Sequence, residues 1–332
     1  MVTTKSTATL PRPVPRSASV RTRIAATGSV LSIRQINGIL PPTRWGIGAG
    51  RGLIATVMAL GGPPIPGTTT IPVRAAGVRG EMVRAPGVPL GERVIYYVHG
   101  SGYVICSART HRGLASRLSS VTGLPVFVVD YRLAPEHRFP AAADDVAAGY
   151  RWLLANGYAA ENIVMGGDSA GCHLTLDLLL ENARTGTAQP AGAFMFSPLM
   201  DLTLTAAETL DRRRPDPMAP APVGRRMIQL YTRDEPADSA RLRLTIPPGV
   251  SLPPLFVQAA AGEMLADDAR HLHEMATATG NSCRLELWPG RIHVFQALPL
   301  IVPEASAALR RTAAFVSEVL AQAEEPRRER VS

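Results

Sequence analysis

Only three cysteines occur in this chain of 332 residues, Cys106, Cys172 and Cys283, and they are too few and too scattered to form a disulfide framework. A reducing compartment such as the cytoplasm is the expectation, with Cys172 read as a small buried hydrophobe. No stretch approaches the roughly 18 consecutive apolar residues that a transmembrane helix needs. The early arginines are not followed by a continuous apolar segment, which argues against an ordinary secretory signal. Metal-ligand spacing is missing as well. His271 and His273 stand two apart within a segment read as a helix, Leu265 to Thr279, so they point in different directions, and no cysteine or histidine partner accompanies them. No metal or cofactor is implied. Aromatics make up only 5% of the chain and are not interleaved with its basic residues, which excludes the usual nucleic-acid-binding patterns.

Acidic residues are absent from the first 80 positions, which hold ten Lys or Arg from Lys5 to Arg79. The whole chain carries +8, so the remainder is slightly acidic. Residues 1–25, rich in Ser, Thr, Pro and Arg, are expected to form a disordered tail. The basic region suits peripheral contact with an anionic lipid surface.

What the chain does contain is centred on Gly167-Asp168-Ser169-Ala170-Gly171. The apolar run Asn162 to Met165 reads as a buried strand, and His173 to Arg184 has leucines at helical spacing, so Ser169 falls on a sharp strand-to-helix turn. The flanking glycines are needed where neighbouring backbone crowds that turn. An acyl-transfer serine also needs main-chain donors for the developing oxyanion. Ala170 follows the nucleophile, and a second donor loop, His99-Gly100-Ser101-Gly102-Tyr103, follows the apolar run Arg93 to Val98. Ser101, Gly102 and Ala170 are therefore the candidate donors, and Tyr103 is a weak candidate for the acyl pocket or for a buried aromatic that holds the loop.

With Asp130-Tyr131-Arg132-Leu133-Ala134-Pro135-Glu136 between them, these motifs resemble the hormone-sensitive-lipase-like (bacterial family IV) carboxylesterases of the α/β-hydrolase fold, over roughly residues 90–320. The usual His-Gly-Gly-Gly loop of that family has Ser101 at its third position here. The fold orders its triad as serine, acid, histidine. His293, in Gly290-Arg291-Ile292-His293-Val294-Phe295, has the setting of the family's catalytic histidine. The family's Gly-x-x-Asp-x-Leu pattern favours Glu263, two before Leu265, as the acid. Asp267 is the runner-up, and Asp268 is read as a charge at a helix N-terminus.

The resemblance implies a mostly parallel sheet flanked by helices, with a helical cap formed by the N-terminal segment (26–75) and an insertion at about 202–252 in a catalytic domain spanning 76–332. Trp45, Met58 and Met227 are candidates for the cap's inner wall. The expected activity is hydrolysis of short- to medium-chain acyl esters, with an amidase-type hydrolase or a non-catalytic ligand-binding relative as alternatives. The expected partner is a small-molecule ester, and pairing into a homodimer is open.

Overall fold

The computed structural model describes residues 13–41, 43–100, 102–233, 235–236, 239–290 and 292–329. Three helices come first, α1 (Val20–Leu31), α2 (Ile33–Ile39) and α3 (Arg44–Gly61). A hairpin of β1 (Thr69–Ala75) and β2 (Val78–Arg84) follows, and then an alternation of strands and helices: β3 (Val94–Val98), α4 (Ala108–Thr122), β4 (Val126–Val129), α5 (Ala141–Ala155), β5 (Ile163–Asp168), α6 (Ala170–Thr185) and β6 (Gly192–Phe196). The 202–252 insertion carries α7 (Thr205–Arg213) and α8 (Ala221–Thr232). The chain then adds β7 (Leu255–Ala260), α9 (Ala266–Ala278), β8 (Cys283–Trp288) and α10 (Glu304–Glu329).

The eight strands form one sheet in the order β1-β2-β4-β3-β5-β6-β7-β8, antiparallel at β1/β2 and β2/β4 and parallel elsewhere. Its central strands are apolar on both faces, as a sheet covered by helices on each side requires. In β3, Val94, Tyr96 and Val98 join the core on one face while Ile95 and Tyr97 join the core on the other. β7 divides likewise, Leu255, Val257 and Ala259 against Phe256 and Ala260. Strand order reverses around β3 and β5, and the carboxyl ends of parallel strands at such a reversal open the crevice where ligands bind.

Two expectations need correction. The tail expected to be disordered through residue 25 is helical from Val20. Ser19 caps that helix by accepting from the Thr22 N–H, and Glu304 accepts from the Ser19 N–H and the Thr22 hydroxyl, both at 2.6 Å. Composition alone could not reveal this anchor, because Glu304 lies at the other end of the chain. The segment 26–75, assigned whole to the cap, also contains β1, which is the first strand of the sheet. β1 is an exposed edge strand with Pro72 inside it, so it lacks the apolar alternation that marks a buried strand. What makes it a hairpin partner is the two-residue turn Ala76-Gly77, where both residues have positive φ.

Candidate active site

Ser169 sits between β5 and α6 with φ 51° and ψ −123°. A non-glycine residue in that region is strained and is held there only by its surroundings. Its N–H donates to Phe196 O at 2.9 Å, tying the turn to the end of β6. The steric reason for the flanking glycines is visible: a Cβ on Gly171 would lie 2.1 Å from Val98 O, and one on Gly167 would lie 2.9 Å from Gly171 O. The turn holds Ser169 only partly buried at the wall of a cavity of about 250 Å³.

His293, on the loop after β8, lines the same cavity. Its Nδ1 lies 2.8 Å from Glu263 Oε2. Glu263 is fully buried, and its other oxygen accepts from the Ala260 N–H at 3.0 Å, so the carboxylate is aimed by the strand it follows. Two main-chain bonds hold the acid and histidine loops side by side, Ala261 N–H to Trp288 O and Gly262 N–H to Gly290 O. Burial acts to lower the His293 pKa, but the hydrogen bond and charge of Glu263, helped by the charges of Asp216 and Asp168, outweigh it and leave the imidazole above its ordinary value. The competing carboxylates are engaged elsewhere. Asp267 pairs with Arg270 at the surface, while Asp268, buried in the first turn of α9, accepts from the Met200 and Asp201 N–H groups. Burial pushes Asp268 up to about 7.

On the opposite wall, Gly102 lines the cavity with φ 54°, and Ala170 opens α6, where the first N–H groups have no intrahelical acceptor. Ser101 and Arg291 lie outside the described residues. Tyr103 does not reach the cavity. It is fully buried, stacked on Tyr231 at 4.2 Å, with its carbonyl accepting from the Ala134 N–H, so it holds the loop instead of lining a pocket.

Leu40, Ile47 and Met58 from the N-terminal helices, together with Met218 and Met227 from the insertion, make the cavity apolar. Met58 and Met227 were expected there. Trp45 was expected too, but it points outward and is 72% exposed.

Three polar residues at the site were not anticipated. Asp168 is buried, and its Oδ1 accepts from the Tyr97 hydroxyl at 2.8 Å and lies 3.3 Å from His111 Nε2. Burial opposes its ionisation, yet His111, the Tyr97 hydroxyl and the Gly100 N–H prevail and hold its pKa below the ordinary value. Neighbouring His99 is driven the other way, down to about 4, by burial and by the charge of His111. Ser197 accepts through its hydroxyl from the Val294 N–H at 3.0 Å, which fixes the residue after His293 in its left-handed conformation. Asp216, from the insertion, accepts from the N–H groups of Met218 and of Met264, the residue after Glu263. No sequence signal marks them: Val294 is β-branched, a type rarely found at positive φ, and the tertiary partners lie far apart along the chain.

A family model described as an alpha/beta hydrolase fold matches residues 95–297. Carboxylesterase/phospholipase LipF of Mycobacterium tuberculosis is 32% identical over 275 residues, spanning 78% of this chain and 71% of that protein. An esterase of Acinetobacter venetianus is 33% identical over 259 residues, 77% of this chain and 84% of that one. Among solved structures, an esterase from the bacterial hormone-sensitive lipase family superposes with a TM-score of 0.81 at 33% identity, covering 90% of this chain and 98% of that chain. A strained serine, a buried carboxylate–imidazole pair and an apolar cavity at the carboxyl edge of the sheet thus occur on the same scaffold as in these relatives, and the chain belongs to the α/β-hydrolase fold family, in its hormone-sensitive-lipase-like carboxylesterase branch.

Proposed function

We propose that this carboxylesterase works through Ser169 as nucleophile, His293 as general base and acid, and Glu263 as the group that fixes the imidazole. The observation that carries the reading is the 2.8 Å Glu263–His293 contact, in a cavity that Ser169 also lines. With Glu263 on Nδ1, the imidazole keeps its proton there and presents a free Nε2. His293 takes the Ser169 hydroxyl proton as the oxygen attacks the ester carbonyl, and it returns that proton to the departing alkoxide, which leaves as the alcohol. Water repeats the sequence on the acyl-enzyme and releases the acid. Main-chain N–H groups of Gly102 and Ala170, with Ser101, would stabilise the oxyanion of each tetrahedral intermediate.

The apolar wall favours an uncharged aliphatic acyl group of short or medium length. Peripheral contact of residues 1–80 with an anionic lipid surface is a separate reading, supported by their ten basic and no acidic residues. Hydrolysis of a p-nitrophenyl ester series by the native protein and by Ser169→Ala tests the assignment, with circular dichroism to check folding. Activity is expected to vanish in the variant, and equal turnover by both would overturn it. The corresponding anilides separate an esterase from an amidase.

A further inference from the structure

The large apolar side chains that remain exposed are not scattered over the molecule. Of the eleven such residues among those described, seven lie on α1, α2, α3 or their first residues, namely Val20, Ile24, Leu31, Ile36, Ile39, Trp45 and Leu60. An eighth, Leu300, adjoins them, because its N–H donates to Gly61 O and its carbonyl accepts from Arg21. Along α1, Val20, Ile24 and Leu31 recur at helical spacing and share one outward stripe. On α3 the exposed positions 45, 48, 52, 56, 59 and 60 make a second, uncharged stripe from Trp45 to Leu60, with exposed Arg44 beside its start.

Residues of α2 and α3, and the link between them, line the cavity, whereas α1 contributes none. Leu40 and Gly46 are in its wall, while their sequence neighbours Ile39 and Trp45 are 81% and 72% exposed. The outward faces of α2 and α3 thus back onto the wall of the cavity.

Basic residues outnumber acids around this face. Residues 13–80 contain no acid, and the acids reaching these helices from elsewhere are already engaged: Glu304 by Ser19 and Thr22, Asp211 by Arg34, and Glu136 by Arg51. Arg16 and Arg23 are exposed and form no ion pair among the described residues. A second copy of the chain docked on this face about a twofold axis would place like charge against like charge. An anionic lipid surface has the complementary sign, and amphipathic helices with an apolar stripe and basic flanks lie in such an interface.

We infer that the outward faces of α1, α2 and α3 dock on an anionic lipid surface, with Ile39 and Trp45 entering it. Delivery of an ester to Ser169 from that surface rests on the catalytic reading given above; the docking itself does not. Binding is therefore measured on the Ser169→Ala protein, whose hydrolytic state is irrelevant to it.

The chain has three tryptophans, Trp45, Trp152 and Trp288, of which Trp288 is buried and Trp152 half-buried, so Trp45 reports the interface. Adding phosphatidylglycerol-rich vesicles should shift the tryptophan emission to the blue and co-sediment the protein. Pure phosphatidylcholine vesicles or high salt should weaken binding, and Trp45→Phe should abolish the shift while binding persists. Leu31→Glu with Ile39→Glu, and separately Val20→Glu with Ile24→Glu, should each lower vesicle affinity by at least about ten-fold. Placed in the Ser169 protein, they should leave hydrolysis of soluble p-nitrophenyl acetate within about two-fold, since none of these residues lines the cavity. Failure of the protein to bind anionic vesicles, unchanged affinity in both folded double variants, or a blue shift that survives Trp45→Phe would each overturn the proposal. So would vesicle-independent self-association that the same substitutions abolish, because it would assign the face to a second copy.

Discussion

Replacing Glu263 by Gln separates the charge of this carboxylate from its shape. The amide oxygen can still accept from the Ala260 N–H, so the turn should keep its fold, but the amide nitrogen would now face His293 Nδ1 in place of a negative oxygen at 2.8 Å. Two effects follow. The imidazole is driven to the tautomer with its proton on Nε2, where it cannot accept from Ser169, and kcat/KM at its plateau should fall by about 10³–10⁴-fold. The residual activity should also titrate differently. The hydrogen bond and charge of Glu263 are what hold the imidazole above its ordinary value, so losing them lowers the His293 pKa. Burial, which already opposes the charged imidazole, is then resisted only by Asp216 and Asp168. The reaction needs neutral His293, and activity rises with pH through its pKa, so a lower pKa moves the acid limb to lower pH. The assay is kcat/KM for a soluble ester from about pH 5 to 9, with full titration of each limb. An acid limb that stays in place in a folded Glu263→Gln protein would refute the assignment of Glu263, even if its plateau were lower.

Tyr97→Phe removes the 2.8 Å donor to buried Asp168 and should cost about 1–3 kcal/mol in urea unfolding at neutral pH. Because the folded pKa of Asp168 is depressed, its stabilisation is present above the ordinary value of 3.8 and is lost as pH falls through the folded value; the penalty should therefore shrink in acid, and one that grows there would contradict the account. Gly171→Ala places a methyl group 2.1 Å from Val98 O, where only backbone can yield, and a loss of about 1–3 kcal/mol or more is expected as a lower melting temperature. Ser197→Ala leaves the Val294 N–H without its acceptor; it should destabilise by about 1–2 kcal/mol and reduce kcat more than KM, since it acts on the placement of His293 and leaves the apolar wall intact.

The sheet was legible because its central strands are buried on both faces and read as short apolar runs ending at distinctive turns. β5, the Ser169 turn and α6 illustrate this, since the glycine spacing is itself a record of backbone crowding. The family pattern two before Leu265 favoured Glu263 as the acid, and Glu263 is the carboxylate that meets His293. Tyr103 was ambiguous for a physical reason: an aromatic beside an oxyanion loop can face the ligand or anchor the loop, and only the position of Tyr231 decides between them. Trp45 was misread because an apolar residue on a cap helix is equally compatible with either face. His111 and Asp216 carried no sequence signal, since His111 meets Asp168 only once β4 and β5 are placed, and Asp216 meets Met264 only across β7.

Asp216 bears on how the N-terminal helices and the insertion influence chemistry they do not touch. Its carboxylate is buried, which lifts its pKa to about 6, while the Met218 N–H, the charge of His293 and the Met264 N–H pull it down. Arg34 of α2 donates to the Asp216 and Ala219 carbonyls and grips Asp211 with both terminal nitrogens. The Asp216 side chain then holds Met264, next to Glu263, and Glu263 holds His293. One chain of contacts thus joins a helix in the first eighth of the sequence to the imidazole in the last fifth. These segments are therefore more than a wall for the acyl group. They fix the turn that carries the acid and add a second carboxylate to the field at His293, so a substrate that displaced α2 would change the basicity of the imidazole as well as the shape of the cavity.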